Sequence, residues 1–135
     1  MADKLIYYAH PMSWYDTEAE RKDIEYLGGY GKVINPNTPR FKIAVDAAKR
    51  LRRPVMELFT ECIQVEADVV CYRSFRDGMI GAGVAQEILA AVIWGKEVWH
   101  IVGHGDLGFS FQAVVYSSRI LTVENTRNRI MQNIM

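Results

Sequence analysis

The stretch Ala67 to Ile101, ADVVCYRSFRDGMIGAGVAQEILAAVIWGKEVWHI, leaves little freedom in what this chain can fold into. It opens on an apolar, β-branched run and passes through a polar loop to Gly81 and Gly83. It then continues as an apolar helix and closes on a second apolar run. Strand, helix and strand in that order form a parallel βαβ unit, because parallel neighbours need a long crossover connection. Glu87 stands just inside the helix, beside the glycine turn. In a parallel α/β sheet that position lies at the carboxyl ends of the strands, where such folds bind ligands. A carboxylate on an Ala/Val/Ile-rich helix is either part of a solvated face or a nucleophile.

The same alternation continues on both sides of this unit. Lys4 to Ala9 reads as a buried strand ended by His10-Pro11. Thr17 and Glu20 have capping-box spacing and predict a helix from about Asp16 to Leu27, stopped by Gly28 and Gly29. Lys32 to Asn35 is a second strand, closed by Pro36. Phe41 to Leu51 suits a short helix, and Pro54 starts another that runs to about Glu66. Met56, Phe59 and Ile63 give this last helix its apolar stripe. Asp68 to Tyr72 and Glu97 to Val102 are the third and fourth strands, and Gly103 to Gly108 is a turn-rich loop. Ser117 to Thr122 reads as a fifth strand, with Thr126 capping a final helix. The order β-α-β-α-β-α-β-(β)-α predicts a parallel sheet with helices on both faces.

At 135 residues the chain has the size of one domain and room for a real core. Sixteen basic residues balance sixteen acidic ones, so no net charge is available to hold a nucleic acid polymer. A single nucleotide needs only one or two arginines. Cys62 and Cys71 belong to no Cys/His cluster and read as buried free thiols suited to a reducing cytoplasm. The opening MADKLIYYAH lacks signal-peptide shape, and no apolar run is long enough to span a membrane. The expected location is therefore cytoplasmic.

Two patterns then combine. One is a strand ending in tyrosine and running into a polar, aromatic loop, IYYAHPMSWY. The other is GAGVAQEILAAVIWGKEVW, a Gly-x-Gly turn, a helix carrying a glutamate, and a Gly-Lys turn into a strand. Together they resemble the nucleoside 2-deoxyribosyltransferase superfamily, which includes the nucleotide N-glycosidases. The resemblance runs from roughly Lys4 to Val102. It implies a flavodoxin-like (Rossmann-like) sheet, a homodimer or larger homo-oligomer, and cleavage of an N-glycosidic bond through a glutamate nucleophile. Glu87 matches that nucleophile, and Tyr7 matches the tyrosine that orients it. The family's aspartates have weaker counterparts. Gly81 stands where Asp or Ser is frequent, Asp77 reaches the sugar only if its loop folds back, and Thr60 and Glu61 fall near a third acid position.

Breaking a ribosyl–base bond develops positive charge on the sugar, which a carboxylate can stabilise or capture. Around Glu87 several residues have two readings each. Gly81 and Gly83 make either a ribose or anion site or a plain tight turn. Arg73, Arg76 and Asp77 either grip a 5′-phosphate and the sugar or form a solvated loop. His10, Met12, Trp14 and Tyr15 either wall a base pocket or cap the core, and Asn35 reaches the same crevice. Glu57 and Glu61 share an exposed helix face. His100 and His104 are structural, since no third ligand completes a metal site.

The expectation is a single-domain α/β protein that hydrolyses or transfers the N-glycosidic bond of a nucleoside or nucleoside 5′-monophosphate. This chemistry needs no metal and no organic cofactor. The alternative is a non-catalytic module on the same fold that binds a nucleotide or a nucleotide-derived signal.

Overall fold

The computed structural model describes residues 3–103, 108–110 and 117–135. Four parallel strands form the sheet: β1 (Lys4–Ala9), β2 (Gly31–Ile34), β3 (Val69–Tyr72) and β4 (Glu97–Val102). A short fifth strand, β5 (Gly108–Ser110), pairs antiparallel with β4. The spatial order is β2-β1-β3-β4-β5. This is the flavodoxin-like arrangement, in which the chain reverses direction across the sheet between β1 and β3.

The helices are α1 (Glu18–Gly28), α2 (Pro39–Arg50), α3 (Val55–Val65), α4 (Ala82–Ile93) and α5 (Val123–Met131). Alternation along the strands sorts them onto two faces. Tyr7, Ala9, Val70 and Tyr72 point to one side and meet Phe41 of α2, Ile63 of α3, and Val84 and Ile88 of α4. Ile6, Tyr8, Val69 and Cys71 point to the other side and meet Leu27 of α1. A third cluster of Trp14, Phe75 and Leu121, with Met135 against it, seats the C-terminal segment at the sheet's carboxyl edge.

Local chemistry explains the helix ends. The Thr17 hydroxyl accepts from the Glu20 amide at 3.2 Å, the cap expected for α1. At the end of α4, Gly95 takes φ +67 and the Lys96 amide returns to the Ala91 carbonyl at 2.8 Å, a turn that glycine adopts without strain.

Two expectations for the C-terminal third are corrected. Ser117–Arg119 is a 3-10 turn, not a strand, and only Ile120 bridges to Ile80. The Ser-Ser-Arg run offers no alternating apolar side to bury, so it does not extend the ladder. The fifth strand is instead Gly108–Ser110, paired antiparallel with β4. The cap of α5 is Thr122, which accepts from the Asn125 amide at 3.1 Å. Thr126 lies inside that helix. No helix among the described residues is long and apolar enough to cross a membrane.

Candidate functional site

Beside the β1–β3 reversal lies a cavity of about 450 Å³. That volume suits a drug-sized or mononucleoside-sized ligand. β1 supplies Tyr7 at its floor, and the segment after β1 supplies His10, Met12 and Tyr15. Gly81, Gly83, Val84 and Glu87 come from the start of α4. α2 and α3 form a wall of largely apolar side chains, among them Phe41, Val45, Met56 and Phe59. Thr126 and Ile130 of α5 complete the lining.

Glu87 is 7% exposed and Tyr7 is fully buried. Burial pushes the Glu87 carboxyl up to about 8, against a smaller downward pull from the Tyr7 hydroxyl. Burial, and secondarily the Glu87 charge, holds the Tyr7 phenol well above its ordinary value. The hydroxyl lies close enough to bias Glu87 yet completes no hydrogen bond of good geometry within the described structure. A buried O–H without a firm acceptor costs free energy, so a ligand that satisfies it gains accordingly. Tyr15 is also raised, first by burial and then by Glu87 and Glu20.

His10 lines the same cavity but is fully engaged. Its Nδ1 sits 2.9 Å from the Tyr8 carbonyl and its Nε2 2.7 Å from the Glu20 carboxylate. The ring stacks on Tyr8 at 3.9 Å. Glu20 also accepts from the Asp16 amide and the Asn37 side chain, which together with His10 lowers its pKa despite burial.

The glycines do not serve a left-handed turn. Gly81 has φ −62, and Gly83 is helical. At Gly81 a Cβ would stand 3.3 Å from the Thr126 methyl, so its smallness lets α5 approach closely. Thr126 Oγ1 accepts from the Ala82 amide at 3.0 Å, capping the start of α4 from across the cavity.

Five of the expected site residues sit elsewhere. Arg73 is buried on the opposite face, where its guanidinium holds Asp23 through two contacts of 3.0 Å and donates to the Gly103 carbonyl at 2.8 Å. It has no free face for a phosphate. Asp77 is exposed and accepts from Arg129 at 3.0 Å and from the Met79 amide, which lowers its pKa. The loop does not fold back toward Glu87. Trp14 is 1% exposed and packs on Phe75 and Leu121, away from the cavity. Arg76 lies over the outer side of that indole, 6.0 Å from its ring. Asn35 turns inward on its own loop and accepts from the Asn37 amide at 2.9 Å.

The remaining candidates follow their simpler readings. Glu57 and Glu61 are exposed, outside the cavity. His100 stacks on Tyr72 at 4.3 Å and is pushed down to about 4 by burial, so it is neutral. His104 lies outside the described residues. Both cysteines are buried free thiols, and burial pushes Cys62 up to about 12, too high for a nucleophile. Among the described residues no group of three or more His, Cys, Asp or Glu could hold a metal ion.

Sequence adjacency gave no sign of the α2–α3 wall or of Thr126 and Ile130. The only usable signal was the apolar stripe of α3, whose Met56 and Phe59 face the cavity. Among known proteins, no family model and no curated sequence matches this chain.

Proposed function

We propose that the chain cleaves the N-glycosidic bond of a nucleoside or nucleoside 5′-monophosphate, with Glu87 as nucleophile and Tyr7 as its positioning residue. One observation carries the reading: a single carboxyl group is buried at the foot of a mononucleoside-sized, largely apolar cavity, facing an unsatisfied tyrosine hydroxyl. In such a site Glu87 attacks the anomeric carbon as the base departs. The glycosyl ester is then resolved by water in hydrolysis or by another base in transfer. Apolar walls make the carboxylate's attraction for a developing oxocarbenium ion stronger than it would be in water.

The test is incubation of the protein with a panel of nucleosides and 5′-monophosphates, with and without an acceptor base. Free base is read by chromatography. Release that disappears in Glu87→Gln supports the reading. If no member releases base while one raises the melting temperature, the cavity belongs to a binding module, the alternative that the displaced Asp77 favours.

Two predictions arise here. Tyr7→Phe should lower kcat by about 10-fold to 100-fold, on the scale of losing a positioning contact. It should also move the alkaline rise of the pH–rate profile upward, since the hydroxyl's pull on Glu87 is lost. An unchanged profile would reduce Tyr7 to a core residue. Lys42 and Lys49 lie exposed at the mouth, on the same side of α2, and form no ion pair among the described residues. Replacing both by alanine should raise KM for a 5′-monophosphate and leave KM for the free nucleoside unchanged. Equal effects on both would remove the phosphate role.

The proposed homo-oligomer has a natural surface. Leu89, Val92 and Ile93 share one exposed face of α4, continued by Trp94. Contiguous apolar surface of this kind marks association sites. Sedimentation velocity tests it, and a monomer at micromolar concentration would exclude it.

A further inference from the structure

Cleaving a neutral nucleoside makes two demands on a protein. The sugar needs a carboxylate, and the departing nitrogen needs a proton. Among the described residues this cavity meets only the first. Glu87 is the one buried carboxyl in the lining, and it cannot act as nucleophile and keep a proton to donate. Asp46 lies exposed at the mouth on α2, and Asp77 is tied to Arg129 outside. His10 has both ring nitrogens occupied. Tyr7 and Tyr15 are poor proton donors, because burial and the Glu87 charge raise both phenols. Thr126 already donates its hydroxyl to the Thr122 carbonyl at 2.7 Å.

Among the described residues Glu87 forms no ion pair. The charged or titratable groups around it are Tyr7 from β1, His10, which is engaged by Glu20, Tyr15, Cys62 from α3, and Lys42, Asp46 and Lys49 at the open mouth. The wall facing it presents the rings of Phe41 and Phe59 and the thioether of Met56. A lone carboxyl enclosed by aromatic and polarisable groups is complementary to an organic cation.

We infer that the preferred substrate is a nucleoside whose base already carries a positive charge, such as an N-ribosylpyridinium or an N7-alkylated purine nucleoside. This rests on the glycosidase reading above. The chemistry then balances without a general acid. A Glu87 oxygen bonds to the anomeric carbon and the carbon–nitrogen bond breaks. The bonding pair moves onto the ring nitrogen, cancels its charge, and a neutral base leaves. Water then adds to the anomeric carbon, the ester bond breaks back to the Glu87 carboxylate, and one proton passes to solvent.

The experiment uses pairs that differ by one methyl group and one charge. N7-methylguanosine is compared with guanosine, each also as its 5′-monophosphate. Base release is measured after subtraction of the spontaneous rate. The neutral member should trail by about 10²-fold to 10⁴-fold, the share a general acid would have supplied. Both rates should vanish in Glu87→Gln. Calorimetry in two buffers then compares 1-methylpyridinium-3-carboxamide with pyridine-3-carboxamide near pH 7. The cation should bind with release of a proton, absent in Glu87→Gln, and the neutral amide without it. Comparable, Glu87-dependent cleavage of both nucleosides would overturn the inference and leave the glycosidase reading intact. No cleavage of either would overturn both.

Discussion

Glu87→Gln should raise stability at pH 8 while removing turnover. The folded protein holds the Glu87 proton up to about 8, whereas the unfolded chain releases it near 4.5. Below 4.5 both states are protonated and the group's contribution to stability is fully present. Between 4.5 and 8 the unfolded chain ionises and the folded one does not, so stability is lost as pH rises through that window. The loss accumulates at about 1.4 kcal/mol per pH unit, reaching a few kcal/mol near pH 8. Glutamine does not titrate. The variant should therefore match the parent at pH 4.5 and gain on it progressively to pH 8, as read by urea titration at both ends. Parallel pH dependences would mean that Glu87 is solvated. Turnover should fall by about 10³-fold or more, the scale at which enzymes lose an attacking group. In the parent, kcat/KM should climb with pH and level off above about 8, because only the ionised carboxyl attacks.

Asp23→Ala should cost about 3–5 kcal/mol, the loss expected when one partner of a buried ion pair is removed. Asp23 is 1% exposed and holds the Arg73 guanidinium through two contacts of 3.0 Å. It also accepts the Tyr8 hydroxyl. Truncating it leaves a buried guanidinium and a buried phenol without their acceptor. Domains of this size are stable by only about 5–15 kcal/mol, so the urea midpoint should fall steeply. Replacing both partners, Asp23→Ala with Arg73→Met, should recover part of the loss. A single-variant cost below about 1 kcal/mol would show that water reaches Arg73.

That ion pair also shows where sequence reading stopped. β1 and β4 were legible to the residue, because each is a short β-branched and aromatic run bounded by turn residues, His10-Pro11 after β1 and Gly95-Lys96 before β4. Glu87 was legible because a carboxylate in an apolar helix demands an explanation. Arg73 was misread because its partner lies 50 positions upstream. The available clue was Asp23 itself, which shares a face of α1 with the buried Leu27 and so needed a cation. Asp77 was misread for the same reason, its Arg129 partner being 52 positions away on α5. Glycine at 81 suggested a ligand turn. The structure shows that it clears space for α5, a tertiary demand invisible in local spacing.

The cavity divides its labour between separate parts of the chain. Tyr7 stands on β1, inside the sheet, and Glu87 on α4 packed against it, whereas the opposing wall comes from α2 and α3. Substitutions at Val45, Met56 and Phe59 should therefore act first on the shape of the cavity, since these side chains come from elements other than those that carry Tyr7 and Glu87. A lineage carrying this scaffold should be able to change which molecule the cavity accepts by single steps while the Tyr7 and Glu87 pair is inherited unchanged. In a directed search, the two helices are the place to randomise and the sheet is the place to leave alone.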